Sequence, residues 1–330
     1  MPADLLKHDF AEALDGFLVD ADTAVLWKNV DSRYAEVVLP YLNAEDLVRD
    51  PRCDASRWAI DFGSMNQDQA AVYELAFDRV DKLVRPEREH AKRSAMRTRW
   101  WQYEEARPGM RKSLAPLEGA IVLPLMSKYS TPVRLSTDQI FSNRLAVVAL
   151  ETYADLACLT SAFHTIWAWR YGTTRGDRLS YSLTGVFRTF ARPRPTSRME
   201  DVGRAFDAER REVMLRRDIG LTALYNLVNN PAVQGDSDVD RMREIQVEID
   251  EAVKAAYGWS DLPLDYGFHT HRQMERWVVS PGARVEILDR LLEENHKRAA
   301  AEGPPSGKKT GPAASEIDDN QAVLFDSSEP

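Results

Sequence analysis

The hydrophobic pattern of the chain changes at residues 187–196, and this change limits the folds that the chain can adopt. The segment contains Pro193 and Pro195, which lack a backbone N–H and hold the preceding residue in extended conformations. Before it, short alternating stretches such as residues 57–62 occur beside stretches with helical spacing. After it, apolar residues recur at helical spacing alone. We therefore predict an α+β fold, with a mixed domain over residues 1–195 and an all-helical domain over residues 196–302.

The spacing of apolar residues also predicts individual helices. Continuous helical spacing predicts one helix over residues 66–84 and another over residues 153–169. In the second domain a helix is predicted to start from a cap at Ser237 or Asp238 and to end at Gly258. From residue 303 onward Pro, Gly, Ser, Lys and acidic residues dominate, so residues 303–330 are predicted to form a disordered tail.

Composition restricts the cellular setting of the chain. The longest uninterrupted apolar run, residues 145–150, is far shorter than the roughly 18 residues of a membrane-spanning helix, so no membrane association is expected. The first ten residues carry acids and lack the pattern of a secretory signal. Two cysteines, Cys53 and Cys158, cannot build a disulfide framework or a four-thiolate zinc site. We therefore predict a cytoplasmic protein.

Charge is distributed unevenly along the chain. The net charge of the whole sequence is -9, yet residues 79–199 hold 21 basic and 10 acidic residues. Within them, residues 79–112 hold 11 basic and 5 acidic residues. Such a segment produces a local positive field that attracts a polyanion such as DNA. The alternative is that the charges cluster by chance while the aromatic residues of this segment build a core, and at this point both interpretations remain open.

Several common catalytic signatures are absent from the sequence. No glycine-rich nucleotide loop occurs, and no lysine follows an acid at the spacing of the metal-dependent nucleases. His269 and His271 lack a third ligand at a suitable spacing, so no metal site is predicted. Cys158 and His164 lie six positions apart in a predicted helix, where a structural cysteine is expected rather than a nucleophile. No catalytic residue is therefore predicted.

A series of short motifs resembles the C-terminal part of MmeI-type adenine DNA methyltransferases, which occur in type IIG and IIL restriction-modification and phage-defence systems. The resemblance extends over roughly residues 35–300. No single motif is decisive, but the order in which the motifs follow one another is specific. These are LPYLNAEDL at 39–47, RWAIDF at 57–62, VRPER at 84–88, RWWQY at 99–103, LTSAFHTIW at 159–167, YS at 181–182, FRTF at 187–190, GLTALYN at 220–226 and AAYGWSDL at 255–262. The sequence departs from the family pattern at Ala191, where the family has a proline directly after the Thr-Phe pair.

In that family this region is the target-recognition domain and the helical segment after it. The resemblance therefore implies recognition of double-stranded DNA as the specificity part of an N6-adenine methyltransferase. The catalytic motifs of the family are absent, because there is no glycine-rich motif for S-adenosylmethionine and the single Pro-Pro pair is at residues 304–305. S-adenosylmethionine is accordingly expected on a catalytic domain or a separate methyltransferase subunit, and no cofactor is expected on this chain.

The candidate DNA-binding residues divide into two groups. Phosphate contacts need basic side chains, and base edges need donors and acceptors in addition. The phosphate candidates are Arg79, Lys82, Arg85, Arg88, Lys92, Arg93, Arg97, Arg99, Arg107, Arg111 and Lys112. The candidates for base contacts are Gln102, Lys128, Arg134, Asn143 and Arg144, with Trp100 as a stacking residue. Any single one of these can instead be a surface residue, a helix cap or, for Trp100, a core residue.

Two functions are consistent with this pattern. The first is a specificity chain that delivers DNA to a separate adenine methyltransferase, and the second is an orphan or decoy DNA-binding module without a methylation role. In the tail, Gln321, Leu324 and Phe325 resemble the short peptides that bind the replication sliding clamp. The alternatives for this cluster are chance and folding back onto the recognition domain.

Overall fold

The computed structural model describes residues 15–103, 108–271 and 274–302. It confirms the α+β class. The chain forms two compact units. Unit 1 comprises the residues up to Asn43, Ala55–Lys112 and Asp138–Ser142, and unit 2 comprises Ala44–Asp54, Ser113–Thr137 and the residues from Asn143 onward. The domain boundary predicted at residue 195 lies inside unit 2.

The elements are numbered in chain order. The strands are β1 (Leu18–Val19), β2 (Val38–Leu42), β3 (Arg57–Ile60), β4 (Gly119–Pro124), β5 (Met126–Ser127), β6 (Val133–Ser136), β7 (Ile140–Phe141), β8 (Leu145–Val148), β9 (Thr173–Arg175), β10 (Arg178–Ser180), β11 (Gly267–His271) and β12 (Met274–Val278). The α-helices are α1 (Ala21–Val30), α2 (Ala44–Arg49), α3 (Gln67–Ala71), α4 (Glu74–Leu83), α5 (Arg85–Arg88), α6 (Ser94–Thr98), α7 (Pro108–Leu114), α8 (Tyr153–Thr160), α9 (Ala162–Tyr171), α10 (Ser197–Arg217), α11 (Leu221–Val228), α12 (Ser237–Tyr257) and α13 (Pro281–Glu302). A 3₁₀ helix spans Ser32–Glu36 and a π-helix spans Leu183–Phe187.

Unit 1 is built on a four-stranded sheet of order β1-β3-β2-β7, in which the β2–β7 pair alone is parallel. Its core is rich in aromatic residues, which explains why a small unit can bury enough apolar surface. The buried rings are Phe17, Trp27, Tyr34, Phe62, Tyr73, Trp100 and Trp101. The helix predicted over residues 66–84 is divided into α3 and α4, because Tyr73 has a ψ of 66°, outside the helical range. A capping box at Asn66 starts α3.

Unit 2 packs helices around the antiparallel sheet β6-β4-β8. Its buried residues include Phe206 of α10, Ile245 and Ile249 of α12, and Ile287 of α13. The helix predicted over residues 153–169 is two helices, α8 and α9, because Ser161 leaves the helical conformation and caps α9 through its side chain.

The boundaries of α12 match the prediction at one end. Gly258 terminates the helix in the left-handed conformation, with a φ of 77°, as predicted. The cap at the other end is Asp236, which accepts from the backbone N–H groups of Asp238 and Val239. The prediction of Ser237 or Asp238 as the cap was therefore wrong by one or two residues.

Two further β elements of unit 2 were not predicted. One is the three-stranded sheet β5-β10-β9 and the other is the hairpin β11–β12, which lies in the region predicted to be helical. No helix among the described residues is long and apolar enough to cross a membrane. The predicted disordered tail, residues 303–330, lies outside the described residues.

Candidate nucleic-acid interface

A continuous basic segment of unit 1 remains exposed. Residues 90–99 contain four Lys or Arg residues and no acid. Lys92, Arg93, Arg97 and Arg99 are all exposed, in and around the short helix α6. The Nη1 atom of Arg97 donates to the carbonyls of Ala91 and Lys92, which fixes the loop that enters α6. We call residues 90–99 the basic segment.

Lys82 and Arg85 are also exposed, but neighbouring acids on the same helical face neutralise them. Lys82 pairs with Asp78 at 3.2 Å, and Arg85 pairs with Asp81 at 3.0 Å and with Glu89 at 3.5 Å. The hydrogen bond from Arg85 to Asp81 raises the pKa of Arg85. The positive charges of Lys82 and Arg85 are therefore partly compensated by neighbouring carboxylates.

Four of the predicted residues have internal roles. Arg79 donates to the carbonyl of Leu18 at 2.7 Å and joins α4 to β1. Arg88 is buried and donates to the carbonyls of Trp100 and Gln102. Trp100 lies in the aromatic core, and the Gln102 amide donates to the carbonyl of Met65 at 2.7 Å.

Because Arg79, Arg88 and Gln102 donate to backbone carbonyls and Trp100 lies in the core, these four side chains pack inside the protein. The structure thus brings Arg85, Arg88, Trp100 and Gln102 together, with the guanidinium of Arg85 5.3 Å from the Trp100 ring. This arrangement supports the loop that carries the basic segment and leaves Trp100 and Gln102 nearly inaccessible from outside.

The remaining candidates of residues 107–112 differ from one another. Arg107 lies outside the described residues. Arg111 pairs with the buried carboxylate of Asp61 at 2.5 Å, and Lys112 is exposed.

In unit 2 the predicted base-contact residues fall into two pairs. Lys128 donates to the amide oxygen of Asn226 at 3.3 Å, and Arg134 donates to the carbonyl of Glu151 at 2.6 Å. Both side chains are half-buried. Asn143 and Arg144 are exposed in the turn that precedes β8. The second pair is therefore more accessible to a ligand than the first.

A basic hairpin in unit 2 was missed by the sequence analysis. Strands β9 and β10 are joined by the two-residue turn Gly176–Asp177, and Gly176 has a φ of 63°, the position that a type II′ turn reserves for glycine. Arg175 and Arg178 are direct cross-strand partners and both are exposed. Like charges placed opposite each other destabilise a hairpin unless an anion lies between them. The signal was present, because a Gly-Asp pair between short polar and β-branched runs predicts a hairpin.

We call residues 173–180 the basic hairpin. The hairpin is held to the rest of unit 2 by Leu179 of β10, which is buried and pairs with Ser127 of β5. A two-stranded ribbon of this kind fits the major groove of B-form DNA, where arginine pairs with guanine edges.

The candidate catalytic groups are buried and inert. Burial raises the pKa of Cys158 to about 12 and lowers the pKa of His164 to about 4. The two ring nitrogens of His164 lie 2.7 Å from the Leu159 carbonyl and 2.9 Å from the Tyr181 hydroxyl, so the neutral ring links these groups. Among the described residues, no group of three or more His, Cys, Asp or Glu side chains could hold a metal ion.

Comparison with solved structures identifies a neighbour of similar fold. It is the type IIL restriction-modification enzyme MmeI, solved in complex with DNA, with a TM-score of 0.56 and 14% sequence identity. The match covers 86% of this chain and 34% of that chain, so this chain spans about a third of the neighbour. No protein-family model and no curated protein matches the sequence. The resemblance inferred from the sequence motifs is thus supported at the level of the fold.

Proposed function

We propose that the chain is the DNA-recognition part of a restriction-modification methyltransferase that modifies adenine at N6. The observation that carries the proposal is the pair of exposed basic elements, the basic segment in unit 1 and the basic hairpin in unit 2. Their arginines are the groups that hold phosphates and read guanine edges. The fold likeness to MmeI supports the same assignment.

In this proposal the chemistry belongs to a catalytic part outside these 330 residues. Neither the S-adenosylmethionine loop nor the motif that holds a flipped adenine occurs in the sequence. The purified chain is therefore expected to bind no S-adenosylmethionine and to transfer no methyl group. The partner would be a methyltransferase subunit or domain that carries both motifs.

The test is a pull-down from the native host, followed by a methylation assay with labelled S-adenosylmethionine. The proposal predicts capture of a protein with a glycine-rich motif and an Asn-Pro-Pro-Tyr-type motif, and adenine methylation by the captured complex but not by the chain alone. Adenine methylation by the purified chain would contradict the assignment of catalysis to a separate subunit or domain. DNA binding without any methylating partner would favour the decoy module instead.

A second partner in this proposal is the replication sliding clamp, bound by the tail. Gln321, Leu324 and Phe325 lie outside the described residues, and their assignment to a sliding clamp rests on the sequence alone. A glutamine at a pocket edge and a Leu-Phe pair in an apolar cleft would form a compact anchor. Titration of a labelled peptide of residues 318–328 with the clamp tests this, with Leu324→Ala and Phe325→Ala peptides as controls. Equal, weak binding by all three peptides would refute it.

A further inference from the structure

Arg276 of β12 is a buried cation, only 5% exposed, and no carboxylate among the described residues lies within ion-pair distance of it. The carboxylate that acts on it electrostatically is that of Asp177, in the turn of the basic hairpin. Its Nε atom also finds no hydrogen-bond partner among the described residues. Burial lowers the pKa of Arg276. Placing a charge in such a site is unfavourable unless specific contacts offset the loss of water.

Apart from the Met274 sulfur on its own strand, the side-chain contacts of Arg276 go to the two chain segments next to the basic hairpin. Its guanidinium contacts two rings, with the Cζ atom 5.1 Å from the centroid of Tyr129 and 5.4 Å from the centroid of Trp169. Its Nη2 atom donates to the carbonyl of Lys128 at 3.1 Å. Arg276 therefore joins three parts of unit 2 that are distant in sequence.

These contacts lie next to the hairpin in the chain. Lys128 and Tyr129 directly follow β5, the strand that pairs with β10. Trp169 lies in the last turn of α9, from which the chain enters β9. Arg276 thus contacts the segment that follows β5 and the last turn of α9, which leads into β9.

We propose that Arg276 is a positioning residue that fixes the basic hairpin, residues 173–180, in the orientation used to contact DNA. The two ring contacts and the carbonyl bond suit a planar guanidinium, whereas a lysine ammonium can keep the carbonyl contact but cannot match a planar group against two rings. The part that concerns DNA rests on the function proposed above, while the part that concerns the hairpin does not.

Arg243 of α12 provides a matched control. It is also buried, and its guanidinium lies 5.0 Å from the Phe268 ring and 5.8 Å from the Trp277 ring. Its hydrogen bonds go to the carbonyls of residues 227, 228, 230 and 233, and it also pairs with the Asp240 carboxylate at 3.1 Å, which Arg276 has no counterpart for. None of these bonds goes to residues 126–129 or 169–180, so Arg243→Lys disturbs a buried arginine whose hydrogen bonds lie outside the hairpin and the segments next to it.

The experiment measures hydrogen exchange in the DNA-free, full-length chain for the wild type, Arg276→Lys and Arg243→Lys. The peptide covering residues 173–180 reports on the hairpin, and the peptide covering β4, residues 119–124, reports on global unfolding. We expect Arg276→Lys to speed hydrogen exchange of the hairpin peptide about tenfold, which corresponds to the loss of one cation–π contact. Exchange of the β4 peptide should be unchanged. Arg243→Lys should leave the hairpin peptide at the wild-type rate.

The same variants are then measured for DNA affinity, with and without Arg175→Ala/Arg178→Ala. Arg276→Lys should weaken binding when the hairpin arginines are present and have little further effect when they are absent. An unchanged hairpin peptide, or equal acceleration of both peptides, would overturn the positioning role. Faster hairpin exchange in a chain whose wild type does not bind DNA would support the positioning role and refute the proposed function.

Discussion

Asp250 is a fully buried carboxyl group whose surroundings tie the stability of unit 2 to pH. One carboxyl oxygen accepts a hydrogen bond from the backbone N–H of Ala162 at 2.8 Å, at the start of α9. The other accepts a hydrogen bond from the Tyr266 hydroxyl. Burial raises the pKa of Asp250 to about 7. Because this is above the value of the unfolded chain, the folded state is favoured by protonation and loses stability as pH rises from about 4 through 7.

Asp250→Asn is expected to remove this dependence, since an amide offers an acceptor to Ala162 and a donor to Tyr266 without ionising. The variant should match the wild type near pH 4 and exceed it at pH 8 by up to about 4 kcal/mol, the upper limit for a shift of this size. Urea unfolding at the two pH values measures the difference. A wild type with no loss of stability over this range would show that the carboxyl group is not buried in solution.

Residue type alone could identify the chemistry of the candidate interface but not its accessibility. Arg88 and Arg93 are equivalent in the sequence, five positions apart in one basic stretch. The structure buries the first against two carbonyls and exposes the second. Whether an arginine of this stretch is buried or exposed depends on what the loop after α5 packs against. Its partners are distant in sequence, as the hydrogen bond from Gln102 to the Met65 carbonyl shows.

At the level of single elements, the long periodic helix α12 and the alternating strand β3, which lies in the stretch of residues 57–62, could be predicted, whereas the strands of the two hairpins could not. The stripe in α12 spans several turns, so its existence and its end at Gly258 follow from the sequence. The hairpins β9–β10 and β11–β12 have strands of three to five residues. Too few alternations occur in such strands to separate them from loops, and turn chemistry is the remaining signal.

The contact between α8 and α10 depends on the absence of a side chain at Gly203. A Cβ atom at this position would lie 2.0 Å from the carbonyl oxygen of Tyr153, which is backbone and cannot move aside. Gly203→Ala is therefore expected to destabilise the protein by about 1–3 kcal/mol, although alanine favours helices. Thermal unfolding monitored by circular dichroism measures the effect.

Gly282 in α13 is the control for this substitution, because a Cβ atom there would meet no atom closer than 4.0 Å. Gly282→Ala should be neutral or stabilising by up to about 1 kcal/mol. Equal responses of the two variants would contradict the close approach of α8 and α10.

At the level of the whole molecule, the basic elements predict that DNA binding depends strongly on salt. Each neutralised phosphate contributes about -0.9 to the slope of log affinity against log salt. The triple variant Lys92→Ala/Arg93→Ala/Arg99→Ala keeps Arg97, whose bonds hold the loop. It should flatten the slope by up to about 2.7, since three phosphate contacts are removed.

The control removes the same charge elsewhere on the surface. Arg49, Arg204 and Lys297 are exposed and paired with Glu45, Glu200 and Glu294. Replacing these three by alanine should leave the slope unchanged, because their charges are already compensated. Fluorescence anisotropy with one duplex at several salt concentrations compares the variants. The same slope in both triple variants would place the phosphate contacts outside the basic segment.

The most direct test of the central claim is selection of binding sites from a library of random duplex DNA by the purified full-length chain. Sequencing of the retained duplexes measures both binding and specificity. We expect enrichment of one short motif by the wild type, and weaker or altered enrichment by Arg175→Ala/Arg178→Ala, because arginine in a groove discriminates between bases by about 1–3 kcal/mol per contact. Retention of duplex DNA without an enriched motif, or no retention at moderate salt, would contradict a role in sequence recognition.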